Sequence, residues 1–319
     1  MAKTVGLIDP SLEQGGAWDV NLGDLIIAQS VRHVIEERCG LRIVARVPSL
    51  RALERRQFDL LRGCDYVILG GTNLLSSHMR TYRQWMIGLR DILRLTKVVL
   101  LGVGWWQYQS APDLYTRLVL KRVLHGRLLH SVRDAYTKTQ LAAAGIRNVL
   151  NTSCPTLWEI TSDVQKAIPA THADDVITTV TCYNKNPQED LALLAFLARC
   201  YANVYIWPQG DGDAAYIQQL GQPVKLLQGT LEEYDRFLDE HRIDYVGKRL
   251  HAGIRAVQKR KRTLVLRVDN RATELGRDTH LATLPPGDLA AIDAWIQSET
   301  HTDIRLPTAD IEKWIEQFR

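Results

Sequence analysis

The sequence predicts an α/β protein built from two doubly wound domains. Apolar runs of strand length alternate with amphipathic segments of helix length, the pattern of a parallel sheet with crossover helices. The alternation is interrupted once, by a polar stretch with Pro and His residues, Thr161–Asp174. A chain of 319 residues is also too long for one small core and suits two domains of ordinary size.

In the first domain, residues 1–160, the strand Val5–Ile8 is followed by a helix over Leu25–Arg38. A strand at Leu41–Arg46, a helix near Leu50–Leu61 and a strand at Tyr66–Leu69 follow. The apolar pattern then predicts a helix at Leu89–Leu93, a strand at Val98–Leu101, a helix at Leu114–Leu124, a strand at Leu128–Val132, a helix at Thr137–Ala144 and a strand at Val149. Thr161–Asp174 reads as the linker to the second domain, residues 175–305. Its strands fall at Val176–Val180, Val204–Trp207, Ile243–Val246 and Leu264–Val268, and its helices at Pro187–Arg199, Ala214–Leu220, Leu231–Glu240 and Ala252–Val257. Residues 306–319 carry a last helix, Ala309–Phe318, in which Ile311, Trp314, Ile315 and Phe318 share one face and pack back on the body.

Composition bounds the function classes. With 45% hydrophobic and 24% charged residues the chain reads as a globular protein, and no apolar run approaches a membrane span; Lys97–Gly104, for one, suits a buried strand. Met1–Val5 leads directly into a strand without a signal-peptide pattern, so a cytoplasmic location is expected. Five cysteines, Cys39, Cys64, Cys154, Cys182 and Cys200, have no C-x-x-C spacing, which argues against a zinc site or a disulfide framework. No carboxylate cluster has metal-ligand spacing, and no metal is expected. The basic block Lys259–Arg262 reads first as a solvated helix end and second as a peripheral contact with an anionic inner-membrane surface or a lipid-diphosphate acceptor. No aromatic-interleaved basic stripe accompanies it, so nucleic acid is not an expected partner.

Asp244–Asp278 carries the most chemistry. A strand ends in Gly247, the cations Lys248, Arg249 and His251 follow, and a helix begins near Ala252. Free N–H donors and a partial positive charge at a helix N-terminus, together with these cations, make an anion site. A guanidinium offers a planar fork to carboxylate or phosphate, and an imidazole exchanges a proton near neutral pH. Arg133 lies at a similar strand-to-helix turn and reads equally as a cleft residue or as half of a helix-start pair with Asp134. Asn21 and Asp24, between the first strand and helix, read from the residues alone as a helix cap. Gly70-Gly71-Thr72-Asn73 and Gly102-Val103-Gly104 suit tight turns or close approach of a ligand. Trp105, Trp106 and Tyr108 follow, as faces for a sugar ring or as packing residues. Gln209 ends a strand where it reaches a ligand, and Arg271 either supports the anion site or pairs with Glu274.

The segment Gly247-Lys248-Arg249-Leu250-His251, followed by a strand and Asp269-Asn270-Arg271, resembles the polysaccharide pyruvyltransferase family. Asn21-Leu22-Gly23-Asp24, Leu69-Gly70-Gly71, Gly102-x-Gly104 and Arg133-Asp134 fall in the family's order, so the resemblance covers residues 5–280. It implies two Rossmann-like domains facing a cleft in a glycosyltransferase-B-like arrangement, with the acceptor on the first and the donor on the second. It further implies a phosphoenolpyruvate-dependent transferase with no cofactor, acting on a glycan or lipid-linked oligosaccharide in exopolysaccharide or cell-surface polysaccharide synthesis. Carried over by residue, Arg133, Gly247, Arg249, Leu250 and His251 would bind the donor, with His251 the general acid and Asp24 taking a proton from a sugar hydroxyl. Asn21, Gly71, Trp105, Trp106 and Gln209 would face the acceptor. One departure stands out: Ser153-Cys154-Pro155 occupies the place where family members usually carry Asp-Pro, which points to a different acceptor or altered activity. A nucleotide-sugar glycosyltransferase and a non-catalytic ligand-binding member are the alternatives.

Overall fold

The computed structural model describes residues 2–13, 21–95 and 97–319; Met1, which opens the N-terminal stretch read above, lies outside the described residues. The chain divides into two compact units. The first holds residues 24–158 with the N-terminal strand and, from the far end of the chain, Leu306–Arg319; the second holds residues 21–23 and Glu159–Arg305.

In the first unit the chain runs through β1 (Thr4–Asp9), α1 (Leu22–His33), β2 (Arg42–Pro48), α2 (Arg55–Arg62), β3 (Tyr66–Gly70) and β4 (Asn73–Leu75). It continues through β5 (Val98–Leu101), β6 (Gly104–Trp105), α3 (Leu114–Val123), β7 (His130–Val132), α4 (Ala135–Ala143) and β8 (Val149–Asn151). The strands β2-β1-β3-β5 form a parallel sheet. Successive side chains of a strand point to opposite faces, so this sheet sorts its apolar residues into two cores. Ile8, Val67, Leu69, Val98 and Leu100 line one face, and Val5, Leu7, Ile68, Val99 and Leu101 the other.

The second unit runs through α5 (Ser162–Lys166), β9 (Asp175–Thr178), α6 (Pro187–Cys200), β10 (Asn203–Ile206), α7 (Asp211–Leu220), β11 (Lys225–Leu226) and α8 (Leu231–Glu240). It then adds β12 (Ile243–Gly247), α9 (Leu250–Gln258), β13 (Thr263–Leu266), α10 (Asn270–Thr279), β14 (Thr283–Leu284) and α11 (Leu289–Gln297). Its six strands are all parallel, in the order β11-β10-β9-β12-β13-β14. The chain starts in the middle at β9, winds outward to β11, and returns to β12 on the other side. The carboxyl ends of β9 and β12 therefore meet at a topological switch point, where open α/β sheets bind ligands. Finally α12 (Thr308–Glu316) puts Ile311, Trp314, Ile315 and Phe318 into the first unit's second core.

Several expected boundaries move. The Leu50–Leu61 helix begins only at Arg55, where Gln57 Oε1 accepts the Glu54 N–H at 2.8 Å and caps the first turn. Leu89–Leu93 is a single 3-10 turn, Asp91–Leu93, and α1 passes into a π-helical turn, Val34–Arg38. Thr161–Asp174 contains α5, capped by Thr161, and groups with the second unit. The helix placed at Ala252 starts two residues earlier, at Leu250, so His251 lies in its first turn. Among the described residues no helix is long and apolar enough to cross a membrane.

Candidate functional site

β12 is buried along its whole length and ends at Gly247, where a Cβ would meet Thr179 Oγ1 at 2.6 Å and the Thr179 nitrogen at 2.7 Å. Only glycine lets β12 run this close to the end of β9. The turn beyond is then fixed by a closed ring of hydrogen bonds. The Arg249 N–H donates to Thr179 Oγ1 at 3.0 Å, Thr179 Oγ1 bonds the Tyr245 hydroxyl at 2.8 Å, and that hydroxyl donates to the Arg249 carbonyl at 2.7 Å. Burial pushes the Tyr245 phenol up, so it stays protonated and keeps donating.

Arg249 is the N-cap residue of α9, and its side chain does not cap the helix. Its Nη2 instead donates to Asp213 Oδ2 at 2.5 Å, its guanidinium lies 4.8 Å from the ring centroid of Tyr183, and its buried Nε has no partner among the described residues. Asp213 is buried and also accepts the N–H groups of Cys182 (2.8 Å), Gln209 (3.2 Å) and Gly210 (3.2 Å). One carboxylate thus ties together the turns after β9 and β10 and the key guanidinium. Leu250 and His251, the first two residues of α9, are buried, with His251 5% exposed.

Lys248 leaves the cation triplet. Its ammonium is buried between Glu189 (2.6 Å) and Asp190 (2.7 Å), and Asp190 also accepts from the Tyr216 hydroxyl at 2.5 Å. A lysine so enclosed anchors the turn to α6. Arg271 does not pair with Glu274; its Nη2 and Nε bond Asp269 at 2.5 and 2.8 Å, and Arg277 takes Glu274 at 3.1 Å. Asp269 caps α10, which brings its carboxylate against the first turn. Three of the four residues of the basic block are engaged locally, and Arg260 is exposed: Lys259 pairs with Asp239, Lys261 donates to the His241 carbonyl, and Arg262 is buried against Asp244 and the Trp295 ring.

Asn21 and Gln209, 188 positions apart, come together: Gln209 Nε2 donates to Asn21 Oδ1 at 2.8 Å, and the same oxygen accepts the Gly23 N–H. The capping expectation for Asn21 therefore holds. Gln209 Oε1 is buried without a partner among the described residues.

In the first unit Asp24 is half-buried in the first turn of α1, where its charge complements the helix N-terminus. Arg133 is 1% exposed; Nη2 donates to Asn73 Oδ1 at 2.5 Å, Nε faces Asp134 at 3.4 Å, and Nη1 has no partner among the described residues. Gly104 makes room for it, since a Cβ there would lie 2.2 Å from Nη2. The pair with Asp134 is a helix-start pair, and it is buried where the surface was expected. Trp105 corrects an expectation: it is fully buried, its Nε1 on Gln109, and shows no face to a sugar because it belongs to the core. Trp106 is half-buried and stacks on Tyr82 at 4.1 Å. Gly71 is a packing residue, with a left-handed φ of 65° and a Cβ position 2.0 Å from Ile27. Cys154 is buried beside Thr156, and burial pushes its thiol up.

Sequence reasoning missed Thr179, Tyr183 and Asp213. Each follows a strand end of the second unit, but only the order β10-β9-β12 brings them to Arg249. A carboxylate in the first turn of α7 was the one signal available.

The polysaccharide pyruvyl transferase family model matches residues 21–270. The chain belongs to that family, which suggests a transferase and is consistent with a polysaccharide acceptor. No curated protein matches it.

Proposed function

We propose that this protein transfers pyruvate from phosphoenolpyruvate to two hydroxyls of a glycan or glycan precursor, forming a cyclic ketal in cell-surface polysaccharide synthesis. The observation that carries the reading is Arg249. It is a nearly buried guanidinium at the N-cap of α9, two residues before His251, and its Nε has no partner among the described residues. Two cationic devices converge there, the fork of the guanidinium and the positive end of the α9 dipole. Phosphoenolpyruvate presents an anionic group to them.

The chemistry then needs one proton moved and one charge stabilised. His251 donates a proton to the methylene carbon, which becomes the methyl group, and positive charge develops on the adjacent carbon. A sugar hydroxyl attacks that carbon and loses its proton. The C–O bond to phosphate breaks, phosphate leaves with the electron pair, and a second hydroxyl bonds the same carbon, loses its proton and closes the ring. Arg249 stabilises the phosphate as it departs. Arg133 and Asp24 belong to the first unit, and this assignment rests on the second unit alone; proton acceptance by Asp24 is a separate proposal, under which Asp24→Asn lowers turnover and leaves donor affinity unchanged.

The test is phosphate release and glycan mass gain when purified protein, phosphoenolpyruvate and candidate acceptors are mixed, compared with His251→Ala. The variant is expected to lose turnover by about 100-fold or more, as a missing general acid does, and to bind phosphoenolpyruvate as the wild type does. Loss of binding with unchanged turnover at saturation would make His251 a ligand contact instead.

A further inference from the structure

Tyr183 stands at the carboxyl end of β9, in the 3-10 turn Cys182–Asn184, and is 54% exposed. Its ring is nevertheless held by two cations. The Arg249 and Arg271 guanidinium carbons lie 4.8 and 5.9 Å from the same ring centroid, and Arg271 Nη2 donates to the phenol oxygen at 2.8 Å. Asp213 anchors the Arg249 guanidinium and Asp269 that of Arg271, and among the described residues the buried Arg249 Nε has no partner. Two like charges on one aromatic ring repel, and an anion between them relieves that repulsion. The residues follow β9, β12 and β13, so the cluster spans the switch point of the sheet.

We propose that Tyr183 and Arg271 complete the donor site begun by Arg249, so that the site takes a small donor with two anionic groups. One group binds Arg249 and the first turn of α9, the other binds Arg271, and Tyr183 spaces the two guanidinia. The inference rests on the donor reading above, since phosphoenolpyruvate carries a phosphate and a carboxylate on one carbon. An anion with a single group fills only the Arg249 half.

The experiment is calorimetric titration of the full chain with phosphoenolpyruvate, uridine diphosphate and inorganic phosphate, on wild type, Arg271→Gln, Tyr183→Leu and Tyr183→Phe. Arg271→Gln should weaken phosphoenolpyruvate about 10- to 100-fold, the loss of one charge-assisted contact, and leave phosphate affinity unchanged. Tyr183→Leu should act in the same direction and Tyr183→Phe, which keeps the ring, less so; thermal melting checks that each variant is folded. Equal loss of phosphoenolpyruvate and phosphate in Arg271→Gln, or no loss of either, overturns the proposal. If the wild type binds uridine diphosphate but not phosphoenolpyruvate, the donor reading fails and uridine diphosphate becomes the two-anion probe, with the same selective loss required. A wild type that binds none of the three overturns both.

Discussion

His130 shows how one side chain of the first unit couples to pH. It is fully buried in β7, its Nδ1 accepts the Leu100 N–H at 3.3 Å, and its Nε2 bonds the His125 carbonyl at 3.0 Å. Acceptance at Nδ1 requires the neutral ring, while the Nε2 bond survives protonation; burial outweighs that bond and lowers the pKa to about 4. Because the folded value lies below the ordinary value near 6.5, the unfolded chain binds the proton first as pH falls. The stability His130 contributes is complete above pH 6.5 and is lost toward pH 4, to the extent of about 3 kcal/mol. Urea unfolding of His130→Gln should therefore be flatter than wild type between those values, and an unchanged slope would contradict the assignment. At this scale the sequence was a good guide wherever chemistry and position coincide. The Arg249-Leu250-His251 triplet stands out because a charged pair at the end of a buried strand has no packing reason to be there. Lys248 has the same sequence signature and a different fate, since its two carboxylates come from α6, 59 residues away for Glu189. Trp105 and Trp106 were likewise indistinguishable until the core claimed the first.

Among the elements, the tie between β12 and α6 is the one the site depends on. Removing one member of a buried ion pair leaves its partner charged and unsolvated, which costs about 3–5 kcal/mol. Lys248→Met should lose that much stability in urea titration, and adding Asp190→Asn should recover part of it; a loss below about 1 kcal/mol would mean the cluster is solvated. Long periodic elements were legible: β3, β5, α3 and α8 fall where their apolar patterns put them. The two- and three-residue strands β4, β6, β11 and β14 were not, because so short a run has no period to read. The start of α9 was misplaced by two residues, since the turn is held by Thr179 and Tyr245 through tertiary hydrogen bonds.

For the whole molecule, the chain leaves the first unit at Trp158 and returns to it at Leu306. Four apolar side chains of residues 306–319 are 0–3% exposed in the first unit's core. Burying each is worth about 1.5–3 kcal/mol, a sum comparable to the stability of an ordinary domain. Truncation before Leu306 should abolish the first unit's thermal transition and leave the second unit's in place; a truncated chain with both transitions would contradict this. The donor site proposed above lies entirely in the second unit, at the switch point that its strand order creates. The most direct test of that claim is calorimetric binding of phosphoenolpyruvate to the full chain, with Arg249→Ala beside it. Saturable binding in the wild type, weakened about 10-fold or more in the variant, is the predicted result. Binding that survives the loss of Arg249, or no binding by a folded wild type, would contradict it.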